Sequence, residues 1–301
     1  MEKKQFLAYS GLPTFWRTPQ TRDVTNVDIA VMGVPFDVGV SNRPGARFGP
    51  RSIRQMSLHA GNFLYPYKYD VKEKLNIIDY GDVGANIGEN STKLMIDETY
   101  SHASKILKSG AKLLTLGGDH TIPYGLVRAA YEKHGKIALL HFDSHQDSLS
   151  GNDGEIFHGT FANDIAEIGY VDALRSVQVF IRTNMPNDQN YNIIYANEAL
   201  EMSTEELAQK IKSIIGNMPV YITFDIDSLD PSVAPGTGTP VVGGPDTYNI
   251  RRLLQELAGL NVVAADLVEV SPMYDAGEVT SLAAATIATD LIYLLAQNIK
   301  R

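Results

Sequence analysis

Short apolar runs and longer segments of helical period alternate along most of this chain. Continuous or near-continuous apolar stretches fall at Val27–Val34, Leu75–Tyr80, Lys112–Leu116, Ile137–Leu140, Ser176–Thr183 and Val262–Val268. A further stretch opens at Pro219, and a short one covers Tyr191–Tyr195. Runs of this length, apolar at successive positions, predict strands buried on both faces. Between them lie predicted helices from Ser91, its expected cap, to about Leu107, from Ile122 to Lys133, from Thr247 to Ala258 and from Ser281 to Gln297. Pro50 opens a short helix through Met56, and Ser203 with Glu206 forms a capping box for a helix through Ile215. Helix-like segments also precede Ser176. This alternation predicts one α/β domain of about eight mostly parallel strands, with no internal repeat and no linker. Residues 1–24 lack a period, and Tyr9, Phe15 and Trp16 among Pro and Gly predict an N-terminal arm packed on the body.

Three of the apolar runs end in groups that are costly to bury. Ile137–Leu140 leads to Asp143, His145 and Asp147, spaced by two. If the extended backbone continues, these side chains share one face of a strand end. The run from Pro219 ends in Asp225 and Asp227, and Lys112–Leu116 leads through Gly-Gly to Asp119 and His120. In a parallel sheet, ligands bind at the carboxyl ends of the strands. Unpaired carboxylates crowded there repel one another, and divalent metal removes the conflict. Four carboxylates and two imidazoles, His120, Asp143, His145, Asp147, Asp225 and Asp227, suit two bridged ions of the Mn, Fe, Co, Ni or Zn type. Asp119 and Asp230 are read as loop organisers, and His141 as a core histidine bonded to backbone. From spacing alone, His158 is equally a proton carrier or the residue that starts a helix near Phe161. Glu269, at the end of the last strand, meets either a cationic substrate group or an arginine. Asp153 and Glu155 either meet a distal cation or face solvent. Arg43, Arg47, Arg51 and Arg54 form a basic patch, read as surface or intersubunit pairing or as the rim of the site.

Composition narrows the classes. The 301 residues are 44% apolar, with a net charge of -9 and a pI near 5.3. That acidity disfavours nucleic acid and anionic membranes as partners. Cysteine is absent, which excludes disulfides, thiolate metal sites and cysteine nucleophiles. No Gly-x-Gly-x-x-Gly follows the first strand, and no phosphate loop is present. The N-terminus has no long apolar segment, so a cytoplasmic location is expected.

Gly-Gly-Asp-His at 117–120, Asp-Ser-His-Gln-Asp at 143–147 and Phe-Asp-Ile-Asp-Ser-Leu-Asp-Pro at 224–231 resemble the three signatures of the ureohydrolase (arginase/agmatinase) family. Ala-Pro-Gly-Thr-Gly-Thr-Pro at 234–240 and Asp-Leu-Val-Glu-Val-Ser-Pro at 266–272 extend the likeness. Within the family, Gly33-Val-Pro-Phe-Asp, Ile181-Arg-Thr and the stretch from Gly216 to Asp225 are most similar to bacterial agmatinases. The resemblance implies a three-layer α/β/α sandwich with an eight-stranded sheet, in trimers or hexamers. It implies two Mn ions, with Co or Ni as substitutes. His120, Asp143, Asp147 and Asp225 would hold one, and Asp143, His145, Asp225 and Asp227 the other. His158 would be the proton shuttle and Glu269 the acid that pairs with the guanidinium. Asp147 would handle the proton of the intermediate formed when a metal-bridging hydroxide attacks the guanidinium carbon. The implied substrate is a small cationic guanidino compound. Asn152, Asp153, Gly154, Glu155, Ile156 and Phe157 replace the polar donors that hold a carboxylate in arginases, which favours agmatine, giving putrescine and urea. Arg43 or Arg47 reaching in would instead admit 4-guanidinobutyrate. Guanidinopropionase, arginase and a non-catalytic binding protein of this fold are further alternatives. Two departures stand out: Ser144 and Gln146 replace the usual small pair of the middle signature, and Phe180 stands where many members have glycine.

Overall fold

The computed structural model describes residues 7–62, 65–84, 86–151, 154–185, 188–297 and 299. Eight strands, β1 (Ile29–Val34), β2 (Ile77–Asp82), β3 (Lys112–Gly117), β4 (Ala138–Phe142), β5 (Val177–Ile181), β6 (Asn192–Tyr195), β7 (Pro219–Asp225) and β8 (Asn261–Val268), form one sheet. Their order is β2-β1-β3-β8-β7-β4-β5-β6, and every pair is parallel. The helices are α1 (Gly49–Ala60), α2 (Val71–Lys74), α3 (Ser91–Lys108), α4 (Pro123–His134), α5 (Phe161–Glu167), α6 (Ala196–Glu201), α7 (Thr204–Ile215), α8 (Thr247–Glu256) and α9 (Val279–Ala296).

The continuous apolar runs are explained by two cores, one on each face of the sheet. Ile29, Val31, Leu114, Leu140, Ile222 and Leu267 pack with α1, α7, α8 and α9. Their neighbours Ala30, Met32, Leu113, Leu139, Tyr221 and Val268 point the other way, against α3, α4 and α5. Side chains alternate along each strand, so a strand covered on both sides must be apolar at every position. The result is a three-layer α/β/α sandwich. α9 has the length and apolarity of a membrane span, but most of it is buried against the sheet and α1. Asp290, which interrupts its apolar run, is buried and receives hydrogen bonds from Arg251 Nε at 2.8 Å and Tyr67 Oη at 2.9 Å.

Several expectations need correction. Ser91 is the first helical residue rather than the cap, since Asn90 precedes it in the left-handed region with no side-chain cap bond. α6 was not anticipated; its six residues are too few to show a helical period. The basic patch divides. Arg54 is neither at the surface nor at the rim: it is 8% exposed and bonded to Asp79 at 2.8 Å and Asp82 at 2.6 Å. Phe15 and Trp16 of the N-terminal segment are buried, with Phe15 N–H donating to Asp79 Oδ2 at 2.8 Å and Trp16 N–H to Ser57 Oγ at 3.0 Å. Tyr9, by contrast, is exposed.

Strand order is what builds the site. β3, β8, β7 and β4 are the four central strands and lie side by side. The register sets Phe142 beside Phe224, Phe224 beside Leu267, and Asp225 beside Val268. The strands therefore end level, and the residues that follow emerge together. Gly118 permits the turn after β3 to approach the end of β1: a Cβ there would lie 2.2 Å from Phe36 O and 2.6 Å from Val34 O.

Candidate active site

The alternating Asp143, His145 and Asp147 do not lie on an extended strand. β4 stops at Phe142, and Asp147 adopts φ 48°. Asp227 sits on a short 3-10 turn at Ile226–Ser228, and Glu269 adopts φ 64°. Left-handed backbone at non-glycine residues is uncommon and concentrates at functional sites. The carboxylates converge because tight turns fold back over the sheet end. Asp143 Oδ1 accepts from His145 N–H at 2.6 Å, and Asp225 Oδ1 from Asp227 N–H at 2.7 Å, each holding its own turn.

Two groups of potential ligand atoms result, and Asp143 is common to both. In the first, His120 Nδ1 lies 3.0 Å from Asp143 Oδ2, 3.0 Å from Asp147 Oδ2 and 3.2 Å from Asp225 Oδ2. In the second, His145 Nδ1 lies 3.1 Å from Asp227 Oδ2 and 3.4 Å from Asp143 Oδ1. The two groups form a binuclear His/Asp cluster. All six side chains expected at the site are thus brought to one end of the sheet.

The chemistry of these donors fits divalent metal. His120 is fully buried and its Nε2 meets Thr223 Oγ1 at 2.7 Å. Thr223 donates in turn to Asp266 Oδ1 at 2.6 Å, and Tyr221 Oη donates to Asp266 Oδ2 at 2.5 Å. With its hydroxyl hydrogen turned to Asp266, Thr223 can only accept from His120, which fixes the proton on Nε2. Nδ1 then turns a lone pair toward three carboxylate oxygens, and it has no partner of good hydrogen-bond geometry. A cation resolves that arrangement. Without one a proton must serve: burial opposes protonation of His120, but Asp143, Asp147 and Asp225 raise its pKa well above the ordinary imidazole value. Burial, then repulsion from Asp227 and Asp143, raises Asp225 well above the usual carboxylate range. Burial likewise opposes the charge on His145, but Asp227 and Asp143 push it up to about 12.

His141 is not bonded to backbone. Gln178 donates to its Nδ1 at 3.0 Å, so its Nε2–H donates to Asp143 Oδ2 at 2.7 Å. With that proton His141 supports Asp143, and its ring also lies among the potential ligand atoms of His120, Asp143 and Asp147. Sequence reasoning passed over Thr223, Asp266 and Gln178. Thr223 was within reach, two residues before Asp225 and on the same strand face, and so was Asp266, a lone acid inside an apolar run. Replacing Thr223 with Val, which keeps the shape and removes the acceptor, is expected to weaken metal binding by roughly 10–100-fold. Thr223→Ser should restore most of it, with both read by equilibrium dialysis and metal analysis.

Glu269 and His158 form the second half of the site. Glu269 is 1% exposed. Its Oε1 accepts from His120 N–H at 2.9 Å and from His158 Nδ1–H at 3.0 Å, while Oε2 has no partner. His158 begins the short turn before α5, as the helix-start reading has it. It lines a pocket together with Ser41, Asp147, Leu149, Phe157 and Met185.

The loops around this pocket are firmly tied. The Arg182 guanidinium donates to Asp227 O at 2.7 Å, Val241 O at 2.8 Å and Ser228 O at 2.9 Å, clasping the turn that carries Asp227. Asp230 accepts from Ser232 N–H at 3.0 Å and Gly243 N–H at 2.7 Å, and Asp119 from Gly39 N–H at 2.7 Å and Thr121 N–H at 3.0 Å. Both organise loops. Arg47 pairs with Asp37, and Arg43 lies 5.2 Å from the centre of the Tyr274 ring. Both are engaged away from the pocket lining. Glu155 is exposed, while Asn152 and Asp153 lie outside the described residues. Gln146 Oε1 accepts from Met185 N–H at 3.0 Å, so it shapes the pocket wall. Phe180 adopts φ 69° at an irregularity between β5 and β6, a conformation that favours glycine.

Comparisons with known proteins follow the same lines. A family model described as "Arginase family" matches residues 27–293. The agmatinase of Neisseria meningitidis serogroup C is 44% identical over 272 residues, which cover 90% of this chain and 88% of that one. Among solved structures, a hypothetical agmatinase from Burkholderia thailandensis superposes with a TM-score of 0.92 at 40% identity, covering 96% of this chain and 92% of that one. The proclavaminate amidino hydrolase from Streptomyces clavuligerus superposes with a TM-score of 0.91 at 34% identity, covering 97% and 99%.

Proposed function

Since the chain belongs to the arginase family, we propose that it hydrolyses the guanidinium group of agmatine, releasing urea and putrescine. The observation that carries this reading is the partnerless Oε2 of Glu269, a buried carboxylate oxygen beside a cluster of four more carboxylates. A guanidinium is the planar cation that such an oxygen recognises. The choice of agmatine rests on the pocket. Its lining includes Leu149, Phe157 and Met185, which suit a tetramethylene chain, and among the described residues no Lys or Arg lines it. A substrate carboxylate would lose its hydration there without gaining a partner, and unmatched polar groups of this kind discriminate strongly.

His120, Asp143, Asp147 and Asp225 would hold one divalent ion, and Asp143, His145, Asp225 and Asp227 the other. Hard oxygen ligands favour Mn, with Co or Ni as substitutes. Such ions, when bound, would supply Lewis-acid activation of water as the nucleophile at neutral pH. Glu269 orients the guanidinium so that its central carbon faces the cluster. Asp147, whose Oδ2 borders the cluster and whose side chain lines the pocket, takes up the proton released on attack. His158 protonates the leaving nitrogen, while Leu149 and Phe157 limit the access of water. Burial opposes charge on His158, but Glu269 beside it, with Asp147 and Asp119, holds its pKa up to about 9. Glu269, which accepts from Nδ1–H at 3.0 Å, favours the charged ring that gives up the proton. The same reading has the chain acting in the cytoplasm as a trimer or hexamer, with exposed Val279 and Leu282 of α9 open to contact with other copies.

Urea release from agmatine, 4-guanidinobutyrate, 3-guanidinopropionate and arginine, with Mn present, tests the proposal. The expected kcat/KM for agmatine exceeds each of the others by roughly 100-fold or more. Preference for a carboxylate-bearing compound would transfer the activity to that substrate, and inertness toward all four would leave a binding protein. Full activity at one bound ion per chain would remove the two-metal basis.

A further inference from the structure

His158 is 8% exposed, and both of its ring nitrogens are engaged. Nδ1–H donates to Glu269 Oε1 at 3.0 Å. Nε2 meets a single residue twice: Ser41 N–H at 3.1 Å and Ser41 Oγ at 2.7 Å. The two contacts differ in kind. A backbone N–H can only donate, so it matches a bare Nε2. A hydroxyl oxygen can accept, so it matches Nε2–H. One residue thus offers a partner to the imidazole both before and after it gives up a proton.

The surrounding backbone holds this arrangement in place. His158 N–H donates to Gly39 O at 3.1 Å, and Gly39 N–H donates to Asp119 Oδ2 at 2.7 Å. The loop carrying Ser41 is therefore tied both to the turn that carries His158 and to the turn after β3. Three carboxylates act on His158 from other elements: Glu269 after β8, Asp147 after β4 and Asp119 after β3. All three favour the charged ring, and none can pair with Nε2 after the proton has left. Ser41 is exposed and lines the same pocket as His158.

We propose that Ser41 is a positioning residue that lets His158 change protonation state without turning its ring. In the acid form, Nε2–H is held by Ser41 Oγ. During turnover the Nε2–H bond breaks and the proton passes to the leaving nitrogen as its bond to carbon breaks. Nδ1–H stays with Glu269, Ser41 N–H caps the bare Nε2, and solvent returns the proton. This rests on the reading of His158 as the acid in guanidinium hydrolysis.

Ser41→Ala keeps the N–H and removes the acceptor, and Ser41→Thr keeps both. In Ser41→Ala, the alkaline limb of kcat is expected to move down by about one pH unit and kcat to fall roughly tenfold, the scale of one hydrogen bond to a charged group. KM and metal stoichiometry stay unchanged, and Ser41→Thr restores both the limb and the rate. Imidazole nitrogen NMR on the intact protein reads the same change without turnover: the His158 titration moves to lower pH in Ser41→Ala and returns in Ser41→Thr. An unmoved titration in Ser41→Ala overturns the role of Ser41. A wild-type protein inert toward guanidino compounds would overturn the hydrolase reading, while the NMR result would still decide whether Ser41 Oγ holds the Nε2–H of His158.

Discussion

Glu269→Gln is expected to lower kcat/KM for agmatine by on the order of 1,000-fold while leaving two metal ions bound. The substitution keeps the shape of the side chain but alters it three times over. It removes the charge that pairs with the guanidinium, at a place where Oε2 is buried and has no other partner. It weakens the acceptor of His158 Nδ1–H, now a charge-assisted bond at 3.0 Å. An amide also presents two N–H donors, which repel a guanidinium where the carboxylate attracted it. Losing a buried charge pair alone costs about 3–5 kcal/mol. Both KM and kcat should suffer, because the carboxylate both binds the cation and orients the acid. Steady-state kinetics with metal analysis of the same sample checks this. Activity within tenfold of wild type would show that the guanidinium is held elsewhere.

Asp225→Asn should have opposite effects on activity and on stability. Hydrolysis is expected to fall to background, because Asp225 would contact both ions and an amide is a weak, uncharged ligand. The metal-free protein, however, should melt at a higher temperature than metal-free wild type. Asp225 is 3% exposed, and burial followed by Asp227 and Asp143 raises its pKa. A carboxyl whose folded pKa lies above its unfolded value favours the fold while protonated. That contribution is present below the unfolded pKa of about 3.8 and is lost as pH rises through the raised folded value. As pH rises toward neutral that contribution declines, and Asn, which carries no charge, is spared the decline. Added Mn should raise the melting temperature of wild type and change that of the variant little. Scanning calorimetry at neutral pH, with and without Mn, reads both effects. A variant that melts below metal-free wild type would show that carboxylate repulsion is not what limits the metal-free fold.

The two carboxylates illustrate different degrees of legibility. Asp225 was readable because a strand covered on both faces can end in a bare acid only if something compensates it. Glu269 carried less signal: one acid after an apolar run fits an arginine as well as a substrate. Its assignment draws on the atoms around it, with Oε1 filled twice and Oε2 empty. Phe180 shows the reverse case. Its departure from glycine was visible in the chain, and the structure adds that its φ of 69° lies where glycine is at ease. Ser41 carried no signal at all. A serine in a loop of turn formers is unremarkable until His158, 117 residues away, is seen against it.

Strand and helix periods, the buried character of the sheet and the residue types at the strand ends were all determined along the chain itself. They depend on local rules, such as side-chain alternation and the cost of burying charge, which act over a few residues. Strand order, by contrast, was decided only in three dimensions. Setting β8 and β7 between β3 and β4 brings His120 within 3.0 Å of Asp143 Oδ2 and 3.2 Å of Asp225 Oδ2, which come from separate strands. Backbone turns after the strands, rather than strand alternation, then direct Asp147 and Glu269 inward. Contacts of that kind depend on register and crossing between distant segments, and no period along the chain encodes them.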